Sequence, residues 1–216
     1  MLKKLFSLYS TSTEQRFQLL RNFSIVSLST FVLATSLLAI FYRRQAVHDL
    51  VISTEENNIT TTQIFSNMLW PKYGTFLSST QPLSDEELVA HPTTRQLYED
   101  TLQSLEDSQI AKVKIFDLQG RTVFSTDESQ TGDDKSQSSG FLAARSGWVV
   151  SQLNHRDTFT ALQTTLEDRN LLSSYIPIRD GEANAEIVGV FELYTDVTPL
   201  VERIEQTQQR IILGSL

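Results

Sequence analysis

Between Arg21 and Arg43 lie 21 residues without a charge, NFSIVSLSTFVLATSLLAIFY (22–42). At about 1.5 Å per residue a helix of this length spans about 31 Å, the thickness of a bilayer's hydrocarbon core. Eleven of these residues are Phe, Ile, Val or Leu, and each favours insertion by about 0.3–0.6 kcal/mol. Six Ser and Thr weaken that sum without reversing it, because their hydroxyls can bond back to the helix backbone. A cleaved leader would have a shorter apolar region and a small-residue cleavage site, whereas this segment continues into Tyr42-Arg43-Arg44. The expectation is an uncleaved transmembrane helix. Lys3, Lys4, Arg16 and Arg21 precede it and only Arg43 and Arg44 follow closely, so the positive-inside rule puts the N-terminus in the cytoplasm and the remainder outside.

The charge distribution agrees with that division. Of 18 basic and 26 acidic residues, the first 42 positions hold four basic and one acidic, leaving an acidic remainder. A basic tail suits anionic lipid, and an acidic domain suits water. The net charge of −8 excludes nucleic acid as a partner, since phosphate binding needs clustered Lys and Arg. An apolar fraction of 40% is too high for a disordered chain. With no cysteine, disulfides and thiolate chemistry are excluded. A zinc site would then rest on His48, His91 and His155, which are far apart in sequence, so no metal and no cofactor is expected.

After the span, Val47, Leu50, Thr54, Asn57, Thr61, Ile64 and Met68 recur at spacings of three and four, the seam of a helix over about 45–69. Its polar centre suits a register-setting homodimer seam or packing onto its own domain. Trp70-Pro71 is expected to end the helix, because the residue before proline disfavours helical geometry. Ser84 with Glu87 reads as a capping box for a short helix, and Thr93 or Thr94 as the start of a helix over 93–107. The period then changes to two. Residues 111–127 (AKVKIFDLQGRTVFSTD) read as a β-hairpin turning at Leu118-Gln119-Gly120. Residues 128–140 form a polar loop, FLAAR (141–145) a helical turn, and GWVVSQL (147–153) a third strand. The polar stretch 154–170 has ends that could also be strand. LLSSYIPI (171–178) and AEIVGVFELYTD (185–196) are further strands, joined by a turn at Asp180-Gly181. Thr198 caps and Pro199 opens a last helix. RIILGSL (210–216) reads either as the start of a second span or as the end of that helix. The fold class is therefore α+β: a transmembrane helix, a long membrane-proximal helix, then an antiparallel sheet of about five strands with flanking helices. The domains are a cytoplasmic tail (1–21), the span (22–42), an extracytoplasmic domain (43–210) and the terminal segment (211–216).

VKIFDLQGRTVFSTD, GFLAARSG, HRDTF, LLSSYIPIRDG and GVFELYTDVTPLVERIEQTQ, in this order and together covering roughly 40–210, resemble the periplasmic PAS-like, Cache-type input domains of bacterial membrane-bound diguanylate cyclases and sensor histidine kinases. The resemblance implies signal reception across an inner membrane, with residues 43–210 in the periplasm and a small molecule or protein as stimulus. It assigns no ligand. No GGDEF motif, phosphoacceptor helix or Gly-rich nucleotide box stands in the chain, so output would come from a module beyond it or from a partner. The alternative is a free-standing, membrane-anchored periplasmic binding or adaptor protein.

No catalytic residue is expected. His155-Arg156-Asp157 invites comparison with a kinase catalytic loop, but Leu162 stands where a magnesium-binding Asn is needed. Asp133-Asp134-Lys135 lacks calcium-loop spacing and reads as a solvated loop. A membrane-tethered hydrolase would need Ser173 or Ser174 to converge with His155, and no nucleophile-elbow pattern is present. By analogy with a PAS-like pocket, walled by strand side chains and an inserted loop, the candidate ligand-binding residues are Lys114, Arg145, His155 and Tyr175. Alternation alone makes Lys114 outward-facing, and Arg145 could hold an anion or pair with Asp127. Phe124 and Trp148 read as core.

Overall fold

The computed structural model describes residues 2–106, 108–162, 164–179 and 185–214, with side chains from residue 17 onward. The chain divides into two units, His48–Glu202 and a second made of Met1–Val47 with Arg203–Leu216. Helix α1 (Leu2–Leu77) contributes to both. Among the described residues it is the one helix long and apolar enough to cross a membrane, and its apolar side chains from Phe23 to Phe41 are mostly exposed. Within this second unit the Arg43 guanidinium lies 3.4 Å from the Glu205 carboxylate.

The larger unit is α+β. After α1 come α2 (Asp85–Ala90), α3 (Pro92–Leu105), β1 (Ile110–Phe116), β2 (Thr122–Ser125), α4 (Ser139–Arg145), β3 (Val150–Thr160), β4 (Thr165–Arg179) and β5 (Ile187–Asp196), and then α5 (Thr198–Leu213). The five strands form one antiparallel sheet in the order β2-β1-β5-β4-β3. Gly120 takes φ +95° at the β1–β2 turn, a conformation that suits a residue without Cβ. There the Asp117 carboxylate accepts from the backbone N–H groups of Gln119 and Arg121, each at 2.9 Å.

One face of the sheet packs on α1 and α3. Phe65, Leu69, Tyr73 and Leu77 of α1 and Leu97 and Leu105 of α3 meet Val113, Ile115, Phe124, Ile176, Phe191 and Leu193, each buried large side chain contributing about 1.5–3 kcal/mol. α1 does not stop at Trp70. Pro71 lies inside the helix on its exposed side, where the missing hydrogen bond costs about 3 kcal/mol. Tyr73 and Leu77, buried beyond it, offset that cost, and the Tyr73 hydroxyl donates to Asp100 at 2.6 Å. The buried stripe also departs from the expected seam. It follows Leu50 and Thr54 and then runs through Asn58, Thr62 and Phe65, leaving Asn57, Ile64 and Met68 exposed.

Ser84 and Glu87 form the capping box as read, the Ser84 side chain accepting from the Glu87 N–H. α3 begins instead at Pro92, capped by His91, whose Nδ1 accepts from the Thr93 N–H at 3.2 Å. Thr198 is not the cap of α5: Asp196 accepts its N–H at 2.9 Å, while its hydroxyl accepts from the Asn170 N–H. β3 and β4 are much longer than their apolar cores suggested, because paired backbone continues through the polar residues 154–160 and 165–170. The Asp180-Gly181 turn lies outside the described residues.

Candidate functional site

The second face of the sheet carries charge. Side chains alternate along β1, so Val113 and Ile115 enter the core under α1 while Lys112, Lys114 and Phe116 point the other way. Register then sets ranks across the strands. Lys114 stands opposite Ser125 on β2 and Glu192 on β5, and Glu192 opposite Tyr175 on β4. Lys112 stands opposite Tyr194, which faces Ser173. α4 covers part of this face, with Phe141 edge-on to Phe116 and Phe116 stacked on Tyr175. A Cβ on Gly140 would meet the Tyr175 ring, so a glycine at this point of α4 is what lets the two elements close.

The hairpin of β3 and β4 supplies a further wall. Asp168 takes φ +54°, and Leu166 and Phe159, beyond it, pack with Leu171 and Tyr194. Residues five apart on one strand would ordinarily face opposite ways; Leu166 and Leu171 instead share one cluster, with Asp168 in the left-handed region between them. The Phe159 ring lies 4.3 Å from the Lys112 ammonium and 5.1 Å from the Tyr194 ring.

All four charged groups here are buried: Lys112 2% exposed, Lys114 3%, Asp127 8% and Glu192 1%. Lys112 and Asp127 satisfy each other at 2.8 Å, with Gln130 accepting from the ammonium at 3.4 Å and Ser129 donating to Asp127 at 2.6 Å. Burial works to raise the Asp127 carboxyl, but the bonds from Lys112 and Ser129 outweigh it and hold the group below its ordinary value. Glu192 is different. Neither carboxylate oxygen has a hydrogen-bond partner among the described residues. The Tyr175 and Tyr194 phenols approach it, too loosely to count as formed hydrogen bonds; burial pushes both phenols up, and the Glu192 charge and these hydrogen-bonding approaches push them further. Burial lowers the Lys114 ammonium, an effect that Glu192 opposes. A buried carboxylate without a bonded partner costs several kcal/mol, and a bound molecule that donates to it would recover that cost.

Of the four residues expected at a ligand site, two meet here. Lys114 is buried, contrary to an outward-facing strand lysine, and Tyr175 is its neighbour across Glu192. Arg145 does not join them: its guanidinium reaches the Leu118 carbonyl at 3.4 Å and sits over Phe141, and Asp127 belongs to Lys112. His155 is half-exposed on β3, its Nε2 3.6 Å from Asp157 and 3.4 Å from Asp168. Ser174 bonds to Asn58 and Ser151 and does not meet His155. Trp148 is 74% exposed and is no part of a core, while Phe124 is. Lys112, Glu192 and Tyr194 join the site from outside the expected set; their signal in the sequence is the spacing Lys-x-Lys in β1 and Glu-x-Tyr in β5, polar residues at period two inside otherwise apolar strands.

Among the described residues no group of three His, Cys, Asp or Glu is placed to hold a metal. A cavity of about 640 Å³ lies elsewhere, between the end of α3, the start of β1 and residues 161–166, and its lining of Leu102, Leu105, Ile110, Leu162 and Leu166 is mainly apolar. It touches none of the four buried charges.

No protein family and no curated protein matches the sequence. Among solved structures the chain is similar to the sensor domain of the Vibrio cholerae histidine kinase DctB (19% identity, TM-score 0.38, 76% of this chain and 60% of that one). It is also similar to the Escherichia coli DcuS sensor domain (16%, TM-score 0.35, 56% of this chain and 88% of that one). A third is a domain of a sensory box/GGDEF family protein from Vibrio parahaemolyticus (16%, TM-score 0.35, 77% and 64%). The chain thus spans less than two thirds of the DctB structure.

Proposed function

We propose that the chain is the extracytoplasmic signal-sensing portion of a bacterial transmembrane receptor, anchored in the inner membrane by residues 22–42, with 43–210 in the periplasm and a diguanylate cyclase or histidine kinase as cytoplasmic output. The stimulus is a small polar molecule bound at the charged face of the sheet. It offers a donor or cationic group to Glu192 and an acceptor or anionic group to Lys114. The observation that supports this binding site is Glu192: 1% exposed, with neither oxygen in a formed hydrogen bond among the described residues. A carboxylate so placed is costly in an empty site and useful in a filled one. Binding then changes the strands that hold α1, and only a difference in affinity between two arrangements can drive the signal.

The test is a thermal-shift screen of the full chain in detergent against amino acids, amines and small carboxylates. A ligand at 100 times its Kd stabilises the folded state by about 2.7 kcal/mol. Compounds that raise the midpoint of the native chain and not of Glu192→Gln or Lys114→Met support the proposal. A full screen without any such difference refutes the site.

A further inference from the structure

The face of the sheet away from the charges is gripped by a single polar side chain of α1. Asn58, 3% exposed, donates through Nδ2 to the Ser174 hydroxyl at 2.9 Å and accepts through Oδ1 from the Thr195 hydroxyl at 2.8 Å. Ser174 in turn shares a hydrogen bond of 2.8 Å with Ser151, so three strands are tied to one residue of the helix. Ser174 and Thr195 have consecutive neighbours of another kind. Tyr175 follows Ser174 on β4, and Tyr194 precedes Thr195 on β5, and both tyrosines point to the opposite face beside Glu192. A strand that tilts to move one side chain moves its neighbour the other way, because both hang from the same peptide unit.

The rest of the helix shows why this point can give. From Phe65 to Leu77 the buried stripe is large and apolar, while from Thr54 through Asn58 to Thr62 it is small and polar. The Thr62 hydroxyl is buried without a partner among the described residues. Large interdigitated side chains resist displacement, but hydrogen bonds exchange for water at little net cost. The helix is therefore clamped in its second half and releasable in the first.

We infer that Asn58 is the positioning residue through which the charged face sets the docking of the first half of α1, residues 50–62, against the sheet. The Asn58 bonds to Ser174 and Thr195 are kept or broken according to how Tyr175 and Tyr194 are held on the other side. This rests on reading the charged face as the sensing site. It is tested without any ligand, so an empty ligand screen and a failed coupling test are separate results.

The experiment is amide hydrogen exchange on the full chain in lipid nanodiscs, comparing the native protein with Glu192→Gln, Asn58→Leu and the double variant. Glu192 lies in rank with Lys114 and Tyr175, on the face of the sheet opposite Asn58. Exchange in 50–62 is expected to change at least tenfold in Glu192→Gln while 65–77 stays unchanged. In the Asn58→Leu background the Glu192 substitution should add nothing further to 50–62. Equal changes in both halves would mean general destabilisation and overturn the inference. So would an unaltered 50–62, or a full increment persisting in the double variant. Should Asn58→Leu fail to fold, Asn58→Thr, which matches the residues one turn away on either side, takes its place with the same expected outcomes.

Discussion

Lys114 and Glu192 face each other across β1 and β5, both within 3% of complete burial, and Glu192 makes no hydrogen bond among the described residues. Of the charges acting on Lys114, Glu192 is the strongest that opposes the lowering by burial. Removing either alone strands a charge in a dry site, so the two substitutions should be strongly non-additive. Urea denaturation of Lys114→Met, Glu192→Gln and the double variant should give a coupling of about 0.5–3 kcal/mol. Additive effects would show that the two charges do not share one environment.

The Lys112–Asp127 pair, by contrast, is complete. Asp127→Asn leaves the ammonium buried without its anion and should cost about 3–5 kcal/mol in urea denaturation. Replacing both partners by Met and Leu should return most of that loss, because the desolvation of both ions disappears with them. A double replacement as damaging as the single one would mean that the pair is held for geometry that apolar side chains cannot supply.

Four shifted groups of the charged face bear on the pH dependence of stability. Asp127 is lowered in the folded state, so its contribution is present above the ordinary carboxylate value of 3.8 and is lost as pH falls through the folded one. Lys114 is also lowered, so between its folded value and 10.5 the unfolded chain binds more protons and stability rises with pH. The raised phenols of Tyr175 and Tyr194 pull the other way above their ordinary value of 10.0. The alkaline rise should therefore be sought below pH 10, and Lys114→Met should abolish it.

Gly140 lies where any Cβ would meet the Tyr175 ring. Gly140→Ala should destabilise by about 1–3 kcal/mol through overpacking, although alanine is the better helix former. Tyr175→Leu in the same chain should relieve the clash, and the two midpoints in urea decide it.

Pro71→Ala should stabilise. The proline faces solvent inside α1 and interrupts its hydrogen bonding, so alanine there should add about 1–3 kcal/mol. No gain would mean that the backbone angle fixed by proline helps to seat Tyr73 and Leu77.

Much of the architecture could be read from local pattern. Ser84 and Glu87 cap a helix through atoms three residues apart, and Val113, Ile115 and the Gly120 turn declare a hairpin within a dozen residues. The phase of α1 could not be read in the same way. Spacings of three and four fit Asn57 as well as Asn58, and the choice was made by Ser174 and Thr195, more than 100 residues away. The site was half visible for the same reason. A strand lysine reads as solvated until other parts of the chain close in, here Asp127, Gln130 and Phe159 on Lys112 and Glu192 on Lys114. Arg145 and His155 rest on analogy with a PAS-like pocket, and analogy does not tell which way a residue at the end of a helix or on an outer strand will point.

β3 pairs with β4 alone among the described strands and so leaves its other side open. An open strand invites a neighbouring molecule to extend the sheet. Here the visitor would meet Asn154, His155, Arg156 and Asp157 in succession, all exposed, and would have to strip water from each. Sheet extension through β3 therefore carries a desolvation cost that a bare apolar edge would not.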